Sequence, residues 1–591
     1  MAEETKPPAP AAAPPKPAPP PGPPPPKNPG FVTFTIDGRE AVVKPGTNLI
    51  EAASSVGVDI PYYCWHKRLS IAANCRMCLV EASNSPGGKL VPACQMTAAE
   101  GVAVRTDTPR VKDQQRATLE FLLLNHPVDC PICDQSGECK LQDYYMKFDH
   151  LQSRLDVPKV EMRKRVPLGP LVVLDEERCI LCTRCVRFMR EIAKNPQLGV
   201  EQRGNHSFIT AFPGQPLDDR YSGNVVDLCP VGALTSTDFR FRGRVWFLST
   251  ARSVCTGCAR GCNVFLDYMK ETTFRFRPRE NEAVNQDWMC DQGRLSYKAF
   301  NDRRVLAARL GRGNGRTASR DEAVAEAAKV LRARAGEGTL ALLLSPVASL
   351  EDLLVAALVA RDGLKLSTAY VGGRADGWQD DFLKRADENP NRRGLEHVAA
   401  AFGLALRPFA ELASAVRDGR VKAVWAVGAE APDAAGAQAI AAAPDLVVQA
   451  TNAGTIADAA TVLLPASPVP EADGTFVNLE GRAQRFEMAY WPRGDSRPHW
   501  ALAGEVGKAL GLVPRWTTGR EVFEDLGRRV ADRLGDYRFD SLPSVDRRLG
   551  LVPLQAGTVD GRLPGYRERM PLDGSGNVEW SRLPAPDRRA T

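Results

Sequence analysis

The chain has 591 residues, enough for about four domains. Its 43% hydrophobic and 25% charged residues are ordinary for globular proteins, and a net charge of +6 is too small and too dispersed to argue for nucleic acid. No run approaches the roughly 18 apolar residues of a spanning helix, so any membrane association would go through a partner. Runs such as Phe121–Leu124 read as buried faces of ordinary elements.

Residues 1–30 form a proline- and alanine-rich segment without the features of a secretory signal, expected to be a disordered, polyproline-like tail. Next, FVTFTIDGREAVVKPG gives two short strands joined at Asp37-Gly38, a hairpin signal, followed by a helix in NLIEAASSVGV and a cysteine-bearing loop. That order is the order of a β-grasp ferredoxin and sets a first domain at 31–109. A helix follows Pro109 and ends at Asn125-His126-Pro127 within a second unit, 110–150. Further cysteine groups mark units at 165–245 and 248–304. From 305 to 510 short apolar runs (Thr339–Ser345, Ala423–Glu430, Asp445–Thr451) alternate with amphipathic stretches such as Asp321–Ala335, which predicts a parallel sheet with helices on both faces. Residues 511–591 read as a weakly patterned extension. The fold class is therefore multidomain α+β and α/β.

All fifteen cysteines lie between Cys64 and Cys290. An odd number without an export signal argues against a disulfide framework and for metal. Cys64, Cys75, Cys78 and Cys94 follow a β-grasp helix, a context that favours [2Fe–2S] over structural zinc. Cys130, Cys133 and Cys139 are one ligand short, and His126 stands four residues before them. Imidazole in place of thiolate leaves a cluster less negative and raises its potential. Cys179, Cys182 and Cys185 with a remote Cys229-Pro230 form a [4Fe–4S] ferredoxin signature. Arg178, Arg184, Arg187 and Arg190 crowd this set, either to offset its charge or as a solvated helix face. Cys255, Cys258, Cys262 and Cys290 permit [4Fe–4S] or zinc. Four sets thus use every cysteine and one histidine. His66, His150, His206, His397 and His499 read as ordinary surface or core residues.

These motifs resemble the large iron–sulfur subunit of bacterial respiratory complex I, the NADH–quinone oxidoreductase. The marks are PYYCWHKRLSIAANCRMCLVE, LEFLLLNHPVDCPICDQSGECKLQDY, CILCTRCVRF with DLCPVGALT, and CTGCARGCNV with NEAVNQDWMCDQGR. The resemblance implies one [2Fe–2S] cluster on the first set and three [4Fe–4S] clusters on the others, the last of them off the main path. Beyond residue 300 the chain resembles molybdopterin oxidoreductases more loosely, through Glu471, Gly474-Thr475, Asn478 and Gly481-Arg482. With no cysteine there to ligate molybdenum, a truncated scaffold domain without molybdenum cofactor is expected. No nucleotide loop or acid–base pair is present, and GRGNGR at Gly311–Arg316 lacks the strand–helix context of a dinucleotide site. The resemblance implies an electron relay working with a flavin-bearing NADH-oxidising subunit and with hydrophilic subunits leading to quinone. It places the chain in the peripheral arm on the cytoplasmic face of the bacterial inner membrane. A subunit of an NAD-linked formate dehydrogenase or hydrogenase, and a zinc-stabilised interaction protein, are the alternatives.

Overall fold

A computed structural model describes residues 30–148, 153–313 and 315–527. Most of the expected tail (1–30), His150 and most of the extension (511–591) lie outside the described residues. The chain divides into two compact units, one of residues 1–124 and 143–158, the other of 125–142 and 159–591. This division cuts through the expected unit at 110–150, whose cysteine segment belongs to the second unit while its flanking helical stretches belong to the first.

In the first unit, Asp37 and Gly38 both take positive φ (46° and 78°), so the hairpin between Val32–Ile36 and Arg39–Val43 closes with the turn hand that matches strand twist. The five-stranded sheet runs Arg39–Val43, Val32–Ile36, Ala103–Arg105, Leu79–Ala82, Val91–Pro92, with the first and last segments of the domain paired in parallel. Helix Leu49–Ser55, capped by the Asn48 side chain accepting from Ile50 N, packs Leu49, Ala52 and Ala53 against Phe34, Ile36 and Val104. Mixed sheet and crossing helix make a β-grasp fold, and the loop after the helix carries the first cysteines.

Helix Pro109–Leu123 starts as expected, with Thr108 accepting from Val111 N and proline in the first turn. It buries Val111, Gln115, Thr118 and Leu119. The expectation that Phe121–Leu124 is a buried face is wrong. Phe121 is 74% exposed and the three leucines are half-buried, because Phe121 sits about 200° around the helix from Leu119.

In the second unit, strands Val166–Pro167, Val172–Leu174 and Leu234–Ser236 pair antiparallel beside helices Arg184–Glu191 and Asn224–Leu228. A second antiparallel sheet joins Ser249–Val254, Asn263–Met269 and Thr272–Pro278. The largest sheet has eight strands. Six are parallel, in the order Val462–Pro465, Asp445–Ala450, Ala423–Val427, Leu340–Leu344, Thr368–Val371, Ala405–Pro408. Ala308–Leu310 and Arg316–Ala318 pair antiparallel and extend one edge, so Arg316, the last residue of GRGNGR, opens a strand and not a helix. LALLL and AVWAV are buried at every position, as strands covered on both faces must be. Separate apolar cores lie on the two faces, Leu342, Trp425 and Leu353 on one, Leu343, Val424 and Ile440 on the other. The first core continues past the expected limit at 510: helix Gly519–Leu526, capped by Thr518, buries Val522, Phe523 and Leu526 in it.

Candidate iron–sulfur sites

All fifteen cysteines are free thiols. In the first unit, the loop after Ser55 turns through left-handed residues at Ala73 and Arg76, on either side of Cys75. Cys64, Cys78 and Cys94 are buried. Asn48 Nδ2 donates to Cys94 O at 2.8 Å and Ala93 N to Cys78 O at 2.9 Å, which ties the fourth cysteine to the loop. The thiols meet in pairs. The Cys64 thiol, together with burial, pushes Cys75 up, and Cys94, together with burial, does the same to Cys78. Two thiol pairs side by side suit two metal ions, one pair to each.

In the second set, Cys130–Ile132 forms a single 3-10 turn that brings Cys130 and Cys133 into mutual electrostatic contact. Cys139 directly precedes helix Lys140–Phe148. Cys133 and Cys139 are buried. His126 Nδ1 is buried with no hydrogen-bond partner. Burial, opposed by Asp129 and aided by Arg178, Lys159 and Lys164, lowers the imidazole to about 4, so at neutral pH it presents a lone pair. An orphaned neutral imidazole beside a set one thiolate short fits a metal ligand. A Cβ on Gly232 would stand 2.3 Å from Cys133 Sγ, so only glycine lets this backbone pass the sulfur.

The third set rings a cavity. Cys179, Cys182, Cys185 and Cys229 line it together with Leu174, Ile180, Ile209, Val231 and Leu234. Leu181 and Thr183 take positive φ, bending the C-I-L-C-T-R-C segment around the cavity into helix Arg184–Glu191, which carries Cys185. Burial pushes Cys179 and Cys185 far up and Cys229 up to about 11. Of the four arginines, Arg178, Arg184 and Arg187 are buried; Arg184 Nη1 donates to Leu228 O and Arg187 Nη2 to Cys182 O, each at 3.2 Å. Arg190 alone is the solvated face, paired with Glu191.

The fourth set closes the turn between Ser249–Val254 and Asn263–Met269, where Cys255 N donates to Cys262 O at 2.8 Å. Cys290 caps helix Asp291–Leu295, its sulfur accepting from Gly293 N. A Cβ on Gly293 would lie 3.0 Å from Cys255 Sγ and 3.3 Å from Cys290 Sγ, so the glycine lets the two sulfurs approach. All four thiols are buried, and burial pushes Cys255 up to about 11 and Cys290 to about 12. Thiols gathered in low dielectric become thiolates only against a strong positive charge, which bound iron supplies.

The structure thus pairs the thiols of the first set, brings those of the third and of the fourth within electrostatic reach of one another, and in the second does the same for Cys130 and Cys133 and sets His126 and Cys133 against one arginine. It also adds residues that spacing did not reveal. Glu138, beside Cys139, takes a forked pair of bonds from Arg275 (3.0 and 2.8 Å), and Arg275 and Arg277 both bond the fully buried Asp267. In the C-terminal half, Glu471 pairs with buried Arg304, and the turn Asn478–Gly481 is held by Asn478 Oδ1 accepting from Arg482 N. Past the strand ends of Leu340–Leu344 and Ala423–Val427, where an open α/β sheet binds ligands, loops of the chain pack closely on one another. Gly373 N donates to Glu430 O, and a Cβ on Gly373 would strike Asn389 Oδ1 at 2.6 Å and Pro346 at 2.7 Å.

Scaffold and sites together define the class: an iron–sulfur protein with [2Fe–2S]- and [4Fe–4S]-binding domains ahead of a molybdopterin-oxidoreductase-like domain. Family models match in chain order: a 2Fe-2S iron-sulfur cluster binding domain (31–109), the NADH-ubiquinone oxidoreductase-G iron-sulfur binding region (115–154) and the NADH-quinone oxidoreductase subunit 3 ferredoxin-like domain (169–235). The NDSU1/NuoG-like 4Fe-4S domain (249–298) and molybdopterin oxidoreductase (309–509) follow. By sequence the chain is a homologue of the large iron–sulfur subunit of NADH–quinone oxidoreductases. An NADH-quinone oxidoreductase subunit of Rickettsia bellii is 41% identical over 50% of this chain and 43% of its own length. The mitochondrial NADH-ubiquinone oxidoreductase 78 kDa subunit of Candida albicans is 35% identical over 67% of this chain and 55% of its own. The chain therefore spans about half the length of the curated relatives it matches. A chain of an NAD+-reducing [NiFe]-hydrogenase in the H2-reduced state is 30% identical, covering 36% of this chain and 91% of its own, but its TM-score of 0.33 carries no structural argument. No helix among the described residues is long and apolar enough to cross a membrane.

Proposed function

We propose that this chain is an electron-relaying subunit of a proton-translocating NADH–quinone oxidoreductase. The observation that carries the reading is the buried His126 Nδ1 without a hydrogen-bond partner, four residues before a cysteine set one ligand short, in a chain whose spacing sorts fifteen cysteines into four sets with none left over. In this reading Cys64, Cys75, Cys78 and Cys94 hold a [2Fe–2S] cluster. His126, Cys130, Cys133 and Cys139 hold one [4Fe–4S] cluster, Cys179, Cys182, Cys185 and Cys229 a second, and Cys255, Cys258, Cys262 and Cys290 a third. Such clusters, when bound, supply one-electron redox states. The chain's residues bury them, keep water from the sulfurs and set the charge around them. The domains run 31–109, 110–150, 165–245, 248–304 and 305–510, with 110–150 shared between the two compact units and the last, a scaffold without molybdenum, completed by helix Gly519–Leu526.

Its partners in this reading are a flavin-bearing NADH-oxidising subunit and hydrophilic subunits leading to quinone, in the peripheral arm on the cytoplasmic face of the inner membrane. The test is EPR of the dithionite-reduced chain together with iron and acid-labile sulfide analysis. Signals of both cluster types and about fourteen irons per chain are expected. A colourless protein holding zinc would end the proposal.

A further inference from the structure

Arg178 precedes Cys179 in the chain, yet its side chain turns toward the other set. Its guanidinium forks onto Asp129, which precedes Cys130, with Nε–Oδ1 at 3.1 Å and Nη2–Oδ2 at 2.6 Å, and Nη1 lies 3.3 Å from Asp175 Oδ2. The side chain is only 5% exposed. A Cβ on Gly232 would meet both Cys133 Sγ (2.3 Å) and Arg178 Cδ (3.7 Å), so sulfur and arginine flank the same spot.

Other charges are nearby. Lys164 reaches Asp129, Asp175 and Glu177, but its side chain is 45% exposed and screened by water. Lys159 Nζ donates to the His126 carbonyl at 2.7 Å. Around the Cys179 set, Arg184 Nη1 donates to the Leu228 carbonyl, and Arg187 donates to the Cys182 carbonyl and to Thr183 Oγ1.

Resting on the cluster reading above, we infer that Arg178 raises the midpoint potential of the His126–Cys139 centre. Reduction adds one electron to a centre already negative, and a fixed cation in low dielectric stabilises that added charge. Asp129 does two opposing things. It holds the guanidinium in place, and it contributes a negative charge of its own.

The test is an anaerobic redox titration followed by EPR on the full chain, purified with the partners it retains. Arg178→Gln is expected to lower the reduction equilibrium constant of the His126 centre at least tenfold, about 59 mV for one electron, with a smaller change at the Cys179 centre. Asp129→Asn should move the same centre the opposite way, and Arg178→Lys should restore most of the native value. A general loosening of the fold would not give shifts of opposite sign. Unmoved potentials overturn the inference, as do shifts in the same direction in both variants. So does loss of the centre in Arg178→Gln with no shift in Asp129→Asn. Native protein without iron overturns instead the cluster reading on which the inference rests.

Discussion

Glu351 is fully buried in the doubly wound domain, where its carboxylate accepts from Thr475 N at 2.9 Å and Thr475 Oγ1 at 2.8 Å. Burial outweighs those bonds and raises it to about 8. An unfolded glutamate releases its proton near pH ~4.3, so between there and about 8 the native state holds a proton that the unfolded chain has lost. Stability therefore falls as pH rises through that window and levels off above it. Glu351→Gln should melt higher than the native chain at pH 8, by on the order of 2 kcal/mol, and the gap should close toward pH 5. Melting curves equally spaced at both pH values would refute this. His126→Cys tests the imidazole: the added thiolate charge should lower that centre's midpoint potential while iron per chain is retained, as read by EPR titration. The grouping of the cysteines into four sets was legible in the sequence because none is left over. Arg178 and Glu138 were not, because their roles come from partners far along the chain, 49 residues away for Asp129–Arg178 and 137 for Glu138–Arg275. Spacing motifs do not reach that far.

Helix Leu350–Leu358 shows what an element owes to its ends. Every residue from Leu350 to Ala357 is buried, so its first-turn N–H groups have no water to turn to. Ser349 and Asp352 supply a reciprocal capping box, with Asp352 N to Ser349 Oγ at 3.1 Å and Ser349 N to Asp352 Oδ2 at 2.9 Å. Ser349→Ala should cost about 1–2 kcal/mol, measured as a lower denaturant midpoint with unchanged slope. At this scale the sequence spoke clearly where local chemistry decides, as at Asp37-Gly38 and at Pro109. It misled at Phe121–Leu124, where an apolar run read as one block ignored the helical turn that sends Phe121 to the open side. It was silent about Gly519–Leu526, whose three buried apolar residues have meaning only beside Leu353 and Trp500.

Across the whole molecule, the fourth cysteine set is sewn into the C-terminal half. Ala259 N donates to Asp387 O at 2.8 Å, Leu479 N to Ala259 O at 2.9 Å, and Asn478 Nδ2 to Arg260 O at 3.3 Å. Arg374 bonds the Thr256 carbonyl, and Gln484 Nε2 donates to Gly261 O at 2.5 Å. The turn that carries three of the four thiols is thus also the anchor for two loops of the doubly wound domain. Cys258→Ala should lower the melting temperature and expose residues 374–389 and 478–484 to protease more than it slows electron transfer per folded complex. Lost turnover with unchanged melting would contradict that. The chain's path between its two compact units has a consequence for anyone who would take the molecule apart. The backbone passes from one to the other after Leu124, returns after Gln142 and leaves again after Pro158. No single cut yields both halves as intact pieces, and a fragment ending anywhere before Pro158 strands part of one unit with the other.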